Sequence, residues 1–269
     1  MSAAELASVD GRITERAEAR IPAADDGLLR GDGVFEVIRL YSGTPFALGE
    51  HLDRMERSGA AIDLPLDRAE FEAEIAALLA EHGAADAQLR LVATRGGRRL
   101  AFTENLPPYA AKERIRVISV TYAPSVMLNG VKSLSYAANM KAIRLAESEG
   151  ADDAVLVRPD GIVLEAPTST VFWVTTEGTL RTPSLDAGIL ASITRDRLLR
   201  ELEVEEGEFP LADLEGATEA FLASTVREVQ AISAVNEAEL AECPGSRTQE
   251  AAEAFAAILD RELAASASS

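Results

Sequence analysis

Segments with the two-residue apolar repeat of a β-strand alternate along this chain with segments on the 3.6-residue repeat of an amphipathic helix. That alternation restricts the fold to a mixed α/β architecture. Gly33–Tyr41 (GVFEVIRLY) reads as a strand, and Ser42-Gly43-Thr44-Pro45 as the turn that ends it. Glu50–Ile62 and Asp67–His82 read as helices; the second places Phe71, Ile75, Leu78 and Leu79 on one face and stops at Gly83. Strands at Gln88–Thr94 and Arg114–Thr121 flank the glycine- and arginine-rich stretch Arg95–Arg99. Residues 1–122 are thus expected to form a small N-terminal α/β domain, and 123–130 a linker. Residues 131–269 are expected to form a second domain. Its helix runs over Ser135–Glu149, with Gly150 as the stop. Strands Ala154–Arg158 and Ile162–Glu165 are joined by Pro159-Asp160-Gly161, and another strand covers Thr170–Thr175. A helix from Ser192, a strand at Glu219–Ser224 and a helix over Ser246–Leu263 complete it, before a Ser/Ala tail expected to fray.

With 269 residues and 47% apolar side chains the chain can bury a sizeable core. Its 26 Lys+Arg against 45 Asp+Glu leave a net charge of −19, which repels nucleic acid and anionic lipid. Small molecules and further copies of the chain are the partners to expect. The single cysteine, Cys243, excludes an intrachain disulfide framework and a cysteine metal cluster. With His51 and His82 as the only histidines, zinc sites and histidine triads are poorly supplied, and no metal is expected. No apolar run approaches the roughly 20 residues of a membrane helix. Met1–Gly11 is polar and unlike a secretory leader, so the expected compartment is the cytoplasm. Lysine occurs only at Lys112, Lys132 and Lys141, every other basic residue being arginine.

Several stretches carry more polar chemistry than packing asks for. Asp26–Glu36 (DGLLRGDGVFE) brings three glycines to the start of a strand, as an ordinary turn or as a close approach of backbone to ligand. Arg54, on the helix of His51-Leu52-Asp53-Arg54, suits a solvated face or a bidentate phosphate contact. Ser192-Ile193-Thr194-Arg195 opens a helix, as a plain serine cap or as an anion site with an added hydroxyl. Thr225 offers another hydroxyl after a strand. Lys132 follows the linker and enters a packed domain, where an amine can form a Schiff base. Glu165 closes a strand beside the small residues Ala166–Thr170. Walker, HExxH and GxSxG motifs are missing, as is a GxGxxG after a strand.

In order and spacing these stretches resemble the class IV (fold type IV) PLP-dependent aminotransferases. That family holds branched-chain aminotransferases, D-amino acid aminotransferases and 4-amino-4-deoxychorismate lyases. GDGVFE (31–36), HLDR (51–54), LVATRG (91–96), GVKSLSYAANM (130–140), GADDAVLVRPDGIVLEAPTSTVFWV (150–174), SITRD and FLASTVREV carry the resemblance, from about Ile21 to Ile232.

The resemblance implies two α/β domains with pyridoxal 5′-phosphate (PLP) between them, and a homodimer. It implies that Lys132 holds PLP as a Schiff base and shuttles the substrate proton, and that Glu165 pairs with the pyridine nitrogen. Arg54, the backbone N–H groups of Ile193 and Thr194, the Thr194 hydroxyl and Thr225 would bind the phosphate, and Tyr136 would touch the phenolic oxygen. Phe35, Val37, Arg39, Arg98 and Arg227 are the candidates for substrate contact, Arg227 foremost for the α-carboxylate. Phe35 stands where D-specific enzymes typically have tyrosine, and their arginine–histidine trap has no histidine here. Val37 stands where branched-chain enzymes tend to have glycine and lyases often threonine; Thr170 replaces an asparagine. The activity implied is transfer of an amino group between an amino acid and a 2-keto acid. The alternatives are pyruvate release by the lyase and an acidic, non-catalytic protein that keeps the fold.

Overall fold

A computed structural model describes residues 5–266. The chain divides into two compact units. The first comprises the chain through Pro107, Val131–Tyr136 and the stretch from Glu262; the second comprises Pro108–Gly130 and Ala137–Arg261.

In the first unit β1 (Leu6–Val9) and β2 (Arg12–Glu15) precede the short α1 (Asp26–Arg30), and β3 (Gly33–Tyr41) turns into β4 (Thr44–Pro45). Then come α2 (Leu48–Ala61), α3 (Arg68–His82), β5 (Ala87–Thr94) and β6 (Arg99–Glu104). The sheet order is β2-β1-β6-β5-β3-β4, with every pairing antiparallel. Alternation along β3 sends Val34, Ile38 and Leu40 into a core with Leu52 and Met55 of α2 and Phe71, Ile75 and Leu78 of α3. Each such side chain contributes roughly 1.5–3 kcal/mol on burial. Asp67 caps α3 by accepting from the Glu70 N–H (3.1 Å), and Gly83, at φ +77°, ends it as expected. The chain returns to this sheet at Lys132–Leu134. The Phe35 N–H donates to the Lys132 carbonyl (3.1 Å), and the Leu134 N–H to the Gly33 carbonyl (2.9 Å). Gly33 is needed for that approach, since a Cβ there would lie 2.3 Å from the Ala93 carbonyl oxygen and 2.7 Å from Leu134 Cδ1.

The second unit holds β7 (Arg114–Thr121), α4 (Ala137–Ser148), β8 (Asp153–Val157), β9 (Thr170–Val174), β10 (Leu180–Pro183), α5 (Ile193–Glu201) and β11 (Glu205–Gly207). α6 (Leu211–Glu215), β12 (Glu219–Ser224), β13 (Glu228–Val235), β14 (Ala238–Glu239) and α7 (Ser246–Ser266), the last counted here through Arg261, follow. Its sheet runs β11-β10-β9-β12-β13-β7-β8, with β14 on β13; β7 lies parallel to both its neighbours. Val171 and Trp173 pack with Leu222 and Ile232, and Ala142 and Ala146 of α4 pack with Ala154 and Leu156.

The division differs from the expected boundaries at 122 and 131. β7 is counted with the second unit because its partners are β13 and β8, and Val131–Tyr136 with the first because they hydrogen-bond to β3. Ile162–Glu165, expected as a strand, folds back along β8: the Arg158 N–H donates to the Ile162 carbonyl (2.8 Å), the Leu164 N–H to the Leu156 carbonyl (2.9 Å) and the Leu156 N–H to the Glu165 carbonyl (2.8 Å), with bridges from Val163 to Val157 and Ile162 to Pro210. The end of the Ser/Ala tail and the start of Met1–Gly11 lie outside the described residues. Among the described residues no helix is long and apolar enough to cross a membrane.

Candidate active site

Lys132 is held through its main chain. Its N–H donates to Ser58 Oγ of α2 (3.2 Å), and its carbonyl accepts from Phe35 of β3. Its side chain lies on the Phe35 face of the sheet, with Nζ 4.4 Å from the Phe35 ring centroid and 5.9 Å from that of Tyr136. The two rings meet edge to face, 5.2 Å apart at 80°. Two polarisable rings therefore wall the amine on one side while two hydrogen bonds fix its backbone. Lys112 and Lys141 are exposed, and Lys112 pairs with Asp152 at 2.5 Å.

On the opposite, core-facing side of β3 sits Glu36, in phase with Val34 and Ile38 and fully buried. Its carboxylate accepts from Arg54 Nε and Nη2 (2.7 Å each) and from His51 Nδ1 (2.8 Å). His51 is also fully buried, and its Nε2 meets no hydrogen-bond partner, so the neutral ring with hydrogen on Nδ1 satisfies the pair. Burial alone would raise the Glu36 carboxyl; the Arg54 charge and hydrogen bonds, then His51, outweigh it and hold it at about 2. Burial likewise pushes the His51 ring down, against the hydrogen bond and charge of Glu36. Arg54 was expected as a phosphate ligand. The structure adds that one edge of its guanidinium is already committed to Glu36.

In the second unit the N–H of Leu190 donates to Glu165 at 3.3 and 3.4 Å. Tyr122 lies close enough that burial and then the Glu165 charge raise its hydroxyl. Ser192 caps α5 by accepting from the Arg195 N–H (3.3 Å). Ile193 and Thr194 are thereby the first helical residues, whose N–H groups have no partner within the helix. Thr194 Oγ1 is buried with no hydrogen-bond partner, as is Thr170 Oγ1. Thr225 lies in the turn between β12 and β13. An orphaned hydroxyl beside the start of a nine-residue helix fits a phosphate-bearing cofactor.

The arginines proposed for substrate separate on inspection. Arg39 shares the Phe35 face of β3 with Val37 and lies 4.8 Å over the Tyr41 ring. Arg98 pairs with Asp10 at 2.5 Å, partly exposed. Arg227 is buried, bound to Asp153 and to Gln230 Oε1, and stacks 4.1 Å over Tyr109. These contacts hold Arg227, the first choice from the sequence for the substrate carboxylate, inside the second unit. Glu36 and His51 went without a role in the sequence. The available signal was phase: a glutamate in register with the apolar positions of β3, and a histidine three residues before Arg54 on one helix face.

Residues 33–235 match the amino-transferase class IV family. A Methanocaldococcus jannaschii protein, provisionally named a branched-chain-amino-acid aminotransferase, is 35% identical over 244 residues, covering 82% of this chain and 84% of that protein. The aminodeoxychorismate lyase of Bacillus subtilis is 29% identical over 282 residues, covering 95% and 94%. A fold IV transaminase of Curtobacterium pusillum superposes with a TM-score of 0.84 at 28% identity, over 96% of this chain and 99% of that one.

Proposed function

The chain belongs to the class IV aminotransferases, PLP-dependent enzymes that move an amino group between an amino acid and a 2-keto acid, and on that premise we propose that Lys132 carries the cofactor. The observation behind this is that Lys132, alone of the three lysines, is pinned at both its N–H and its carbonyl and presents its amine beside a pair of aromatic rings. When bound, PLP supplies a sink for the electron pair left when the substrate loses its Cα proton. The chain's own groups bind and steer. Lys132 moves that proton; Glu165 holds the pyridine nitrogen protonated; Arg54, the N–H groups of Ile193 and Thr194, and the hydroxyls of Thr194 and Thr225 hold the phosphate. Tyr136 contacts the phenolic oxygen, and Phe35 and Val37 meet the substrate side chain. Arg39 is now the first candidate for the carboxylate, because it shares their face of β3.

Borohydride reduction of the holoenzyme followed by peptide mapping is expected to leave the pyridoxyl group on Lys132. Lys132→Ala is expected to remove the visible cofactor band and essentially all turnover while leaving the circular dichroism of the fold. A label on Lys112 or Lys141 would overturn the assignment.

A homodimer is part of this proposal, supported by the exposed apolar side chains of Leu28, Leu29, Val126 and Met127. So is a cytoplasmic site of action, in keeping with a single cysteine. The charge of −19 makes amino acids and keto acids better partners than nucleic acid.

A further inference from the structure

Glu36, His51 and Arg54 form a buried polar set on a seam of β3 and α2 whose large side chains are otherwise valine, isoleucine, leucine and methionine. A buried ion pair is a poor way to stabilise such a seam. Desolvating two charges costs about as much as their attraction returns, and well-packed apolar residues of the same volume commonly do as well or better. What the set does achieve is direction. A lone arginine has several rotatable bonds, whereas here Nε and Nη2 are both bound to one carboxylate, and a two-point bond fixes the plane of the guanidinium. The carboxylate is fixed in turn. It sits on a central residue of β3, and His51, three residues before Arg54 on the same helix face, donates to its Oε2. Ser58, one turn after Arg54 on that face, holds the Lys132 N–H. One face of α2 thus anchors both the lysine backbone and the arginine.

We propose that Glu36 and His51 are positioning residues that fix the Arg54 guanidinium for the phosphate of the cofactor. The proposal rests on the reading of Arg54 as a phosphate ligand. Neither residue touches the cofactor; both act through Arg54.

The test compares two ligands, PLP and pyridoxal, which share the ring and aldehyde and differ in the phosphate. The full-length apoenzyme is titrated with each, for the native chain and for Glu36→Gln, Arg54→Ala and the double variant, and thermal unfolding of each apo form is recorded. Arg54→Ala should lower the preference for PLP over pyridoxal by about ten- to a hundredfold, the range of a charge-assisted hydrogen bond. Glu36→Gln should lower the same preference by about tenfold with pyridoxal affinity unchanged, and the double variant should lose no more than Arg54→Ala alone. A Glu36→Gln preference equal to the native one, beside an Arg54→Ala preference that falls, overturns the positioning role and leaves the phosphate reading intact. Equal weakening of PLP and pyridoxal in Glu36→Gln also overturns it, because a merely structural pair would act that way. An unchanged preference in Arg54→Ala overturns the phosphate reading itself and the proposal with it. If Glu36→Gln does not fold, His51→Leu removes one donor and leaves the Arg54–Glu36 pair. A lowered PLP preference in that variant supports the proposal, and an unchanged one overturns it.

Discussion

Asp153 and Arg227 face each other with side chains 1% and 3% exposed, and burial pushes the Asp153 carboxyl up despite the arginine beside it. A pair so enclosed is expensive to break, because removing the arginine leaves a buried carboxylate with only the Ala154 N–H to answer it. Arg227→Ala should therefore lower folding stability by about 3–5 kcal/mol, read from urea unfolding, and leave KM for amino donors near its native value in whatever fraction folds. Arg39→Ala should do the reverse, raising KM by about tenfold, a loss of ~1.4 kcal/mol of binding, with unfolding little changed. Arg98→Ala should move neither much, since its bond to Asp10 is partly exposed and such pairs contribute about 0–1 kcal/mol. A raised KM in Arg227→Ala with normal stability would return that residue to the substrate. From the sequence all three arginines were candidates, with Arg227 foremost. What separates them is the acceptor each one meets, Asp153 being 74 positions away from Arg227 in the chain, and no local pattern reports that distance.

β3, α3 and β12 were legible because their signals are local. Alternation marks Gly33–Tyr41, a short continuous apolar run marks Glu219–Ser224, and apolar spacing between Asp67 and Gly83 marks the helix. β13 was not legible. Its polar Gln230 and Ser233 are satisfied by main-chain carbonyls of Tyr109, Lys112 and Ile115, far off in sequence. β10 and β11 pair in parallel through a short ladder whose residues, LRTP and EEG, have no strand pattern of their own. The β3–α2 seam was half legible, its apolar half. The polar half has a consequence for pH. Glu36 has a folded value of about 2 against an ordinary 4.5, so its contribution to stability is fully present above pH 4.5 and is lost as pH falls toward 2. His51, also depressed, contributes in the same sense: its stability is present above its ordinary 6.5 and is lost as pH falls through the lower folded value. Acid titration of the urea midpoint should show a fall that begins below pH 6.5 and steepens below pH 4.5 in the native chain, the steep part being shallower in Glu36→Gln. Parallel titration curves for the two proteins would mean that the Glu36 carboxylate does not govern the seam.

Similarity over the whole chain reaches an aminotransferase and an aminodeoxychorismate lyase alike, each over more than four-fifths of both lengths. A shared fold and shared cofactor groups serve both outcomes, so what separates them must face the substrate side chain. Val37 is the group proposed for that role, on the face of β3 shared with Phe35 and in register with Arg90 of β5. Valine packs against a substrate but offers neither a proton nor a lone pair, whereas the threonine that lyases of this family often carry there offers both. General acid–base assistance is typically worth about 10²–10⁴-fold, too large a factor for an efficient lyase to lack. The purified holoenzyme is therefore expected to transfer the amino group of at least one common amino acid to a keto acid, and to release pyruvate from aminodeoxychorismate weakly or not at all. Val37→Thr is expected to raise pyruvate release while leaving the visible cofactor band in place. Both outcomes are read from one panel of amino donors and keto acids with aminodeoxychorismate included. Efficient pyruvate release by the native chain, with no transfer from any donor in that panel, would make the lyase its reaction and leave Val37 a packing residue.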